Sequence, residues 1–350
     1  MIWLMPDAHA GMPCAPTRRT ALGALALAAV TLPLAACGFR LEDDAPRLPL
    51  VPTREPIPGE AFLLGLWLGS GDLADLAARV GGPATSLPAR LAPLHWEQAA
   101  ALRSLVGRLG IPDRVAADAE AAHRRAQDAT ATAGSSTAAT PPSTGSAATP
   151  GSATNTPAVP TTASLAAAEA EALAPESFAE LAALSAKAVP VAAAALAQRA
   201  AAATLLGKTV RWAEQPAVEA RLAATALESI RSAVYGFEVV AAQSRDAQRA
   251  LATTTLATLR ARAAVVSTLA GEAAAPPSLG YPLPFAVTTP AAARRLAVSV
   301  LGGLRASHAA AIEGAAGAAG SLASCVEWLA EAEVLAYRWR MAPQPFPGLS

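Results

Sequence analysis

The stretch that decides the fold of this chain is PAVEARLAATALESIRSAVYGFEVVAAQS, residues 216–244. Its larger apolar side chains include Leu222, Ile230, Val234 and Phe237, which recur at intervals that place them along one face of an α-helix. Alanine, the residue with the highest helix propensity, is the commonest residue in the stretch. The stretch therefore predicts one long amphipathic helix that needs partner helices to cover its apolar face.

Three later stretches repeat this pattern, at about residues 245–272, 290–313 and 317–339. Their apolar marker residues are Leu251, Leu259, Val266 and Leu269, then Leu296, Val300 and Leu304, then Leu322, Trp328 and Leu335. Between the second and third helices of the set, the proline-rich residues 276–284 exclude helix and predict a crossover loop. Four helices with one longer central connection are the ferritin-like arrangement. We therefore expect an all-α protein with a ferritin-like four-helix bundle in its C-terminal half.

Three short motifs in this half of the chain resemble a known family. They are Gly-Tyr-Pro-Leu-Pro-Phe at 280–285, Val-Thr-Thr-Pro-Ala-Ala-Ala-Arg-Arg-Leu at 287–296 and Tyr-Arg-Trp-Arg at 337–340. They are similar to an uncharacterised ferritin-like domain, a catalogued domain of unknown function, that occurs in lipoproteins of high-GC Gram-positive bacteria. The resemblance covers about residues 216–349. It implies a four-helix bundle in a cell-envelope setting, and it implies no established reaction.

The N-terminal half carries helical patterns on both sides of a low-complexity insertion. Residues 60–128 have apolar side chains at helical spacing, and so do residues 164–208. Residues 129–163 carry no charge and are mainly Ala, Thr, Ser, Pro and Gly, which cannot bury enough apolar surface to offset the entropy of ordering. We expect a disordered linker there. Two helices before it and two after it would form a second bundle, because the cost of closing a loop grows slowly with its length.

A four-residue motif ahead of the helices has the form of a bacterial lipobox. Its members are Leu34, Ala35, Ala36 and Cys37. A basic pair at 18–19 and a short apolar run at 21–34 precede the cysteine, which is the layout of a secretory signal. The motif predicts a signal peptide at residues 1–36 and a lipidated cysteine at the mature N-terminus. A plain secretory signal with an incidental cysteine is the alternative.

Lipidation of Cys37 would make membrane lipid the partner of this protein. Two acyl chains, such as palmitate, anchor a protein durably where one does not. The proline-rich residues 37–59 then predict a tether that holds the helical part off the membrane. We expect the protein on the extracytoplasmic face of the cell membrane. Residues 17–22 also resemble a twin-arginine export signal, so general secretion and twin-arginine export both stay open.

Composition and motifs exclude several function classes. The chain has 27 basic and 27 acidic residues, so its formal net charge of zero indicates no nucleic-acid partner. It contains no nucleotide-binding, phosphate-binding, nucleophile-elbow or Cys-x-x-Cys motif, so no cofactor and no catalytic constellation are predicted. Cys14 would leave with the signal peptide and Cys37 would carry lipid. Cys325, in an apolar stretch, is interpreted as a small buried hydrophobe.

Two groups of residues come into question as metal ligands. Glu120 and His123 have the Glu-x-x-His spacing of half a carboxylate-bridged metal site, but no second such motif occurs and charged neighbours favour a solvated face. In the C-terminal half, Glu228, His308 and Glu331 would be the candidates for a remnant site. The inward ligands that a di-iron centre needs on all four helices are missing. No metal site is predicted, and Glu120 and His123 stay as candidates only.

The sequence leaves three functions open. The leading interpretation is a lipid-anchored envelope protein whose helices bind or scaffold without catalysis. The alternatives are a degenerate ferritin-like metal-binding protein and a small-molecule carrier with a slot between helices. His95, beside Trp96 and Glu97, indicates a core or boundary histidine rather than a base. Aromatic residues near the crossover and the last helix could line a ligand groove or pack the end of the bundle: Tyr281, Phe285, Tyr337, Trp339 and Phe346.

Overall fold

Every regular element in the described part of the chain is a helix. The computed structural model describes residues 54–136, 159–212 and 217–349. These residues contain ten α-helices, one short 3-10 helix and no strand, so the all-α prediction is confirmed. The α-helices are α1 (Glu60–Val80), α2 (Leu87–Arg108), α3 (Asp113–Ser136), α4 (Thr162–Glu171), α5 (Pro175–Ala183), α6 (Val189–Leu205), α7 (Ala220–Gln243), α8 (Asp246–Ala270), α9 (Pro290–Gly314) and α10 (Ala319–Arg338).

Several sequence predictions fall outside the described residues. They are the signal peptide at 1–36, the lipobox with Cys37, the tether at 37–53 and the middle of the linker at 137–158. At the near edge of the linker, α3 continues to Ser136, past the predicted end at Asp128, because extending an existing helix costs much less than nucleating a new one. At the far edge, α4 begins at Thr162, and the Thr161 hydroxyl accepts a hydrogen bond from the Ser164 N–H at 3.1 Å.

Helix α6 lies at the centre of the fold. Every residue from Ala192 to Ala203 is buried, which is the pattern of a helix enclosed by protein on all sides. Alanine permits this because the distance between packed helices depends on the size of the side chains between them. Helices α2, α4 and α5 contact α6, and so do α9 and α10. The N-terminal and C-terminal halves therefore share one hydrophobic core within the unit Glu55–Ser350.

Helices α7 to α10 surround a buried aromatic contact. Helix α7 packs against α8 and α9, and α9 packs against α10. Trp339, which follows α10, is buried with its ring 5.6 Å from that of Phe237 in an edge-on arrangement. Its indole N–H donates to the Thr255 hydroxyl of α8 at 3.0 Å. Helix α9 begins at Pro290, and the Thr289 side chain caps it, as expected for threonine before a first-turn proline.

The crossover between α8 and α9, residues 274–289, is held against α7. The Arg231 guanidinium donates to the carbonyl of Ala275 at 2.7 Å. The Tyr281 hydroxyl donates to the Glu228 carboxylate at 2.8 Å. Both donor–acceptor pairs join the crossover to the same helix, so its path is fixed although it contains no α-helix.

Among the described helices, α1 is long and apolar enough to cross a membrane by length and composition alone. In the structure it packs along α2, and 44% of its most apolar window is buried. Helices that face a protein core share this apolar character.

Candidate functional site

An open groove of about 980 Å³ runs between the α4–α5 corner, residues Lys208–Trp212 and the start of α10. We refer to Lys208–Trp212 as the strap. Leu173 and Phe178 line the groove from the α4–α5 corner, and Val210 and Trp212 line it from the strap. The rings of Phe178 and Trp212 lie 6.3 Å apart. Small residues of α10 complete the lining: Ala319, Gly320 and Ala323.

The strap brings positive charge to this groove. Lys208 and Arg211 both line it and both are exposed to solvent. Glu171, at the end of α4, is the acidic residue among the described lining. Small-molecule sites are concave and mainly apolar, with few polar groups that fix orientation. The groove therefore suits an apolar molecule that carries one anionic end.

A smaller cavity of about 400 Å³ also borders the strap. Its lining includes Arg262 of α8, which donates to Glu327 and to Glu331 of α10, each at 2.8 Å. Burial alone would lower the pKa of Arg262, but the carboxylates of Glu331 and Glu327 outweigh burial and raise it. The Arg262 guanidinium in this cavity is thus engaged by two carboxylates of the protein itself.

A polar network whose four side chains are buried lies between α2, α4 and α6 and reaches Pro345 near the C-terminus. His95 Nδ1 is 2.8 Å from Gln98 Oε1, and His95 Nε2 is 2.7 Å from Glu169 Oε1. The Gln98 amide nitrogen donates to Gln198 Oε1 at 3.2 Å and to the main-chain carbonyl of Pro345 at 2.6 Å. We refer to these five residues as the His95 network. His95 has no exposed surface, so the prediction of a core histidine is confirmed.

Arg199 of α6 is a buried cation beside this network. Its guanidinium donates to the carbonyl of Leu66 at 2.9 Å and to the Ser70 hydroxyl at 2.8 Å, both on α1. Burial lowers the pKa of Arg199 to about 10, against the opposing effects of the Glu169 and Asp72 carboxylates. The second carboxylate oxygen of Glu169 and the Nε of Arg199 have no hydrogen-bond partner among the described residues.

A second buried network joins α9 and α10 to the end of the chain. Arg305 donates to one carboxylate oxygen of Glu333 at 2.8 Å, and the main-chain N–H of Gln344 donates to the other at 3.1 Å. Burial raises the pKa of Glu333, although the contacts with Arg305 and Gln344 work against this rise. His308 is buried beside Trp328, and burial lowers its pKa to about 3. Its imidazole is therefore neutral at physiological pH.

The two candidate ligands of the N-terminal half have separate partners. His123 Nε2 lies 2.7 Å from a carboxylate oxygen of Asp72. Glu120 lies 4.0 Å from Arg124 in its own helix. Each side chain thus has its own partner within the protein, Asp72 for His123 and Arg124 for Glu120.

The three candidates of the C-terminal half are also engaged elsewhere. Glu331 binds Arg262, Glu228 accepts from Tyr281, and His308 packs against an aromatic ring. In the described residues, no group of three or more His, Cys, Asp or Glu side chains could hold a metal ion. Tyr281 lies 5.8 Å from the ring of Tyr235, and Phe285 and Phe346 pack against the hydrophobic core. None of the five aromatic residues near the crossover is among the described lining of the groove.

The C-terminal helices match a family model over residues 222–350. The matched family is a domain of unknown function, DUF4439. The match covers α7 to α10 and the segment after them, and it includes all three motifs at 280–296 and 337–340. No curated protein and no solved structure matches the chain.

The sequence analysis did not predict four buried polar residues in and beside the His95 network: Gln98, Glu169, Gln198 and Arg199. One signal was available, because Gln198 and Arg199 interrupt a run of alanine in a helix that is otherwise apolar. A polar group in such a setting needs a hydrogen-bond partner to offset its burial. The sequence could not show which helix supplies that partner.

Proposed function

We propose that this protein is a lipid-anchored extracytoplasmic protein that binds an amphiphilic small molecule without catalysis. The groove beside the strap is the observation that carries the proposal. An apolar chain would lie against Phe178 and Trp212, whose rings line the groove. An anionic end would meet Lys208 and Arg211 of the strap. A volume of about 980 Å³ suits a ligand of drug or lipid-fragment size.

The anchor in this proposal is supported by the sequence at the N-terminus. The lipobox that ends at Cys37 follows a basic pair and an apolar run, and lipid on this cysteine would hold the groove close to the outer membrane surface. We include a ferritin-like relation for the C-terminal half in the same proposal. It is supported by the order of α7 to α10, with the long crossover between α8 and α9.

Replacing Cys37 tests the anchor. The Cys37→Ala protein should move from the membrane fraction to the aqueous fraction of a cell lysate, since it has no site for the diacylglyceryl group. A matched Cys325→Ala protein should stay with the membrane, because Cys325 is buried in the core. Membrane association that persists in the Cys37→Ala protein would mean that the anchor is misassigned.

Filling the groove tests the ligand. Native mass spectrometry of exported Cys37→Ala protein should show a bound small molecule, and addition of Ala323→Phe should remove it because the larger side chain occupies the groove. Ala264→Phe is the control, since Ala264 is exposed on α8. The anionic dye 1-anilinonaphthalene-8-sulfonate should bind the Cys37→Ala protein and its Ala264→Phe variant more tightly than the Ala323→Phe variant. Equal dye binding by all three proteins, with no bound molecule, would contradict the ligand while leaving the anchor intact.

A further inference from the structure

The His95 network determines where its protons lie. Gln98 uses its amide nitrogen to donate to Gln198 and Pro345, so its oxygen is the atom that faces His95 Nδ1. An amide oxygen only accepts, and Nδ1 must therefore carry a proton. On the other side of the ring, Nε2 and a carboxylate oxygen of Glu169 are 2.7 Å apart. Two lone pairs repel at this distance, so a proton lies between these atoms as well.

We infer that the His95–Glu169 pair binds one proton that keeps the C-terminal segment, residues 341–349, in place. This proton is additional to those of a neutral imidazole and an ionised carboxylate. With it, the pair is either an imidazolium with a carboxylate or a neutral imidazole with a carboxylic acid. Both forms keep Nδ1 protonated and leave Gln98 free to donate to Pro345.

Loss of the proton reverses the hydrogen bonds along the network. A neutral His95 beside an ionised Glu169 places its single proton on Nε2, where the carboxylate accepts it. Nδ1 then needs a donor, and Gln98 has to turn its NH₂ group towards it. The Gln98 oxygen then faces the Pro345 carbonyl, across the 2.6 Å that now hold a hydrogen bond. Gln198 can rotate its own amide to follow, but a main-chain carbonyl cannot become a donor, so the hydrogen bond between Gln98 and Pro345 is lost and repulsion takes its place.

Charged groups on three other helices are linked to Glu169 through Arg199. Arg199 from α6 attracts the ionised form of Glu169, and Asp72 from α1 attracts Arg199 in turn. His123 from α3 is paired with Asp72. The segment at 341–349 carries no charged residue, so it adds no further field.

The residue next to Pro345 is held by a separate contact. The Gln344 N–H donates to Glu333, whose carboxylate is paired with Arg305. A further contact is internal, from the Gly348 N–H to the Gln344 side chain at 3.2 Å. The contact between Gln98 and Pro345 is thus the one through which the His95–Glu169 proton reaches the segment.

Hydrogen exchange of the C-terminal peptide tests the inference. The protection factor is the intrinsic exchange rate divided by the measured rate, and mass spectrometry gives it for residues 341–349 at a series of pH values. Opening of the segment releases one proton. The protection factor should therefore fall about tenfold per pH unit in the pH range where the closed form holds this proton and the open form has lost it. The Glu169→Gln protein should show no such fall, since the new amide donates to His95 Nε2 at every pH. A peptide from α7 is the internal reference.

The control variant is His123→Gln, which removes a histidine–carboxylate pair away from the segment and should keep the wild-type slope. Equal slopes in the wild-type and Glu169→Gln proteins would overturn the inference, and so would a wild-type slope of zero. If Glu169→Gln does not fold, ¹⁵N spectra of the histidine rings in the wild-type protein show whether His95 Nδ1 carries a proton. A His95 Nδ1 without a proton while the segment is seated would overturn the inference.

Discussion

The main-chain carbonyl of Pro345 lies 2.6 Å from the amide nitrogen of Gln98, although 247 positions separate the two residues. The preceding residue, Gln344, donates its N–H to Glu333 in the C-terminal half. Two consecutive residues near the end of the chain thus contact the buried networks of both halves. Gln344 and Pro345 are therefore hydrogen-bonded to buried side chains of the core.

Removing the Gln98 amide should destabilise the protein. In Gln98→Met the side chain keeps its length, but the Pro345 carbonyl, Gln198 and His95 lose their partner inside the core. We expect the free energy of unfolding to fall by about 1–3 kcal/mol in urea titrations. Gln243→Met, at an exposed position on α7, should change it by less than about 0.5 kcal/mol. Similar values for the two variants would mean that the contact with Pro345 does not stabilise the fold.

One substitution at two glycines should have opposite effects. Gly348 has φ +75°, and a Cβ there would lie 2.4 Å from the carbonyl oxygen of Arg305, so Gly348→Ala should lower the melting temperature. A Cβ on Gly303, in the middle of α9, meets nothing within 4 Å. Gly303→Ala should stabilise the helix by roughly 0.5–1 kcal/mol. Calorimetry of the two variants measures both changes in melting temperature. A melting temperature unchanged by Gly348→Ala would contradict the packing of Gly348 against Arg305.

His308 should make the protein sensitive to acid. Its pKa is about 3 in the folded protein against 6.5 for the free group, so the unfolded chain binds a proton that the folded chain does not. The stability it contributes is complete above pH 6.5 and is lost as pH falls towards 3. At pH 4.5 the loss should be roughly 3 kcal/mol.

Urea unfolding at pH 7 and pH 4.5, in the wild-type and His308→Leu proteins, measures this contribution. Other acidic groups titrate equally in both proteins, so the difference between the two pH dependences belongs to His308. Identical pH dependences would show that His308 is hydrated or protonated in the folded protein.

The Trp339–Thr255 hydrogen bond should appear as a coupling energy. Thr255→Val leaves the buried indole N–H without an acceptor and should cost about 1–3 kcal/mol. In a Trp339→Phe background the same change should cost less, because the donor is already absent. A double-mutant cycle in urea measures the difference, expected at about 0.5–3 kcal/mol. Additive effects would mean that the hydrogen bond contributes nothing beyond packing.

Local signals in the sequence predicted the elements better than their arrangement. The helix predicted at about residues 290–313 agrees closely with α9, whose start is fixed by the local cap of Thr289. The apolar setting of Cys325 predicted its burial, which is confirmed and raises the pKa of its thiol to about 12. The role of α6 was not predicted, since a helix of alanine has no stripe that shows which neighbours cover it.

The polar networks show why contacts between distant helices could not be predicted. His95 was expected in the core, but its partner Glu169 lies 74 positions further along the chain. The spacing of residues within one helix reveals a shared face, and it carries no information on contacts between helices so far apart. The groove escaped prediction for the same reason, because its lining comes from three separate parts of the chain.

The limits of the family match differ from the limits of the packed core around α6. The family match begins at residue 222, whereas α10, inside that range, packs on a helix that ends at Leu205. A chain cut at residue 222 would uncover the surface of α10 that now covers α6, so the range matched by the family model is not the whole of the unit that folds.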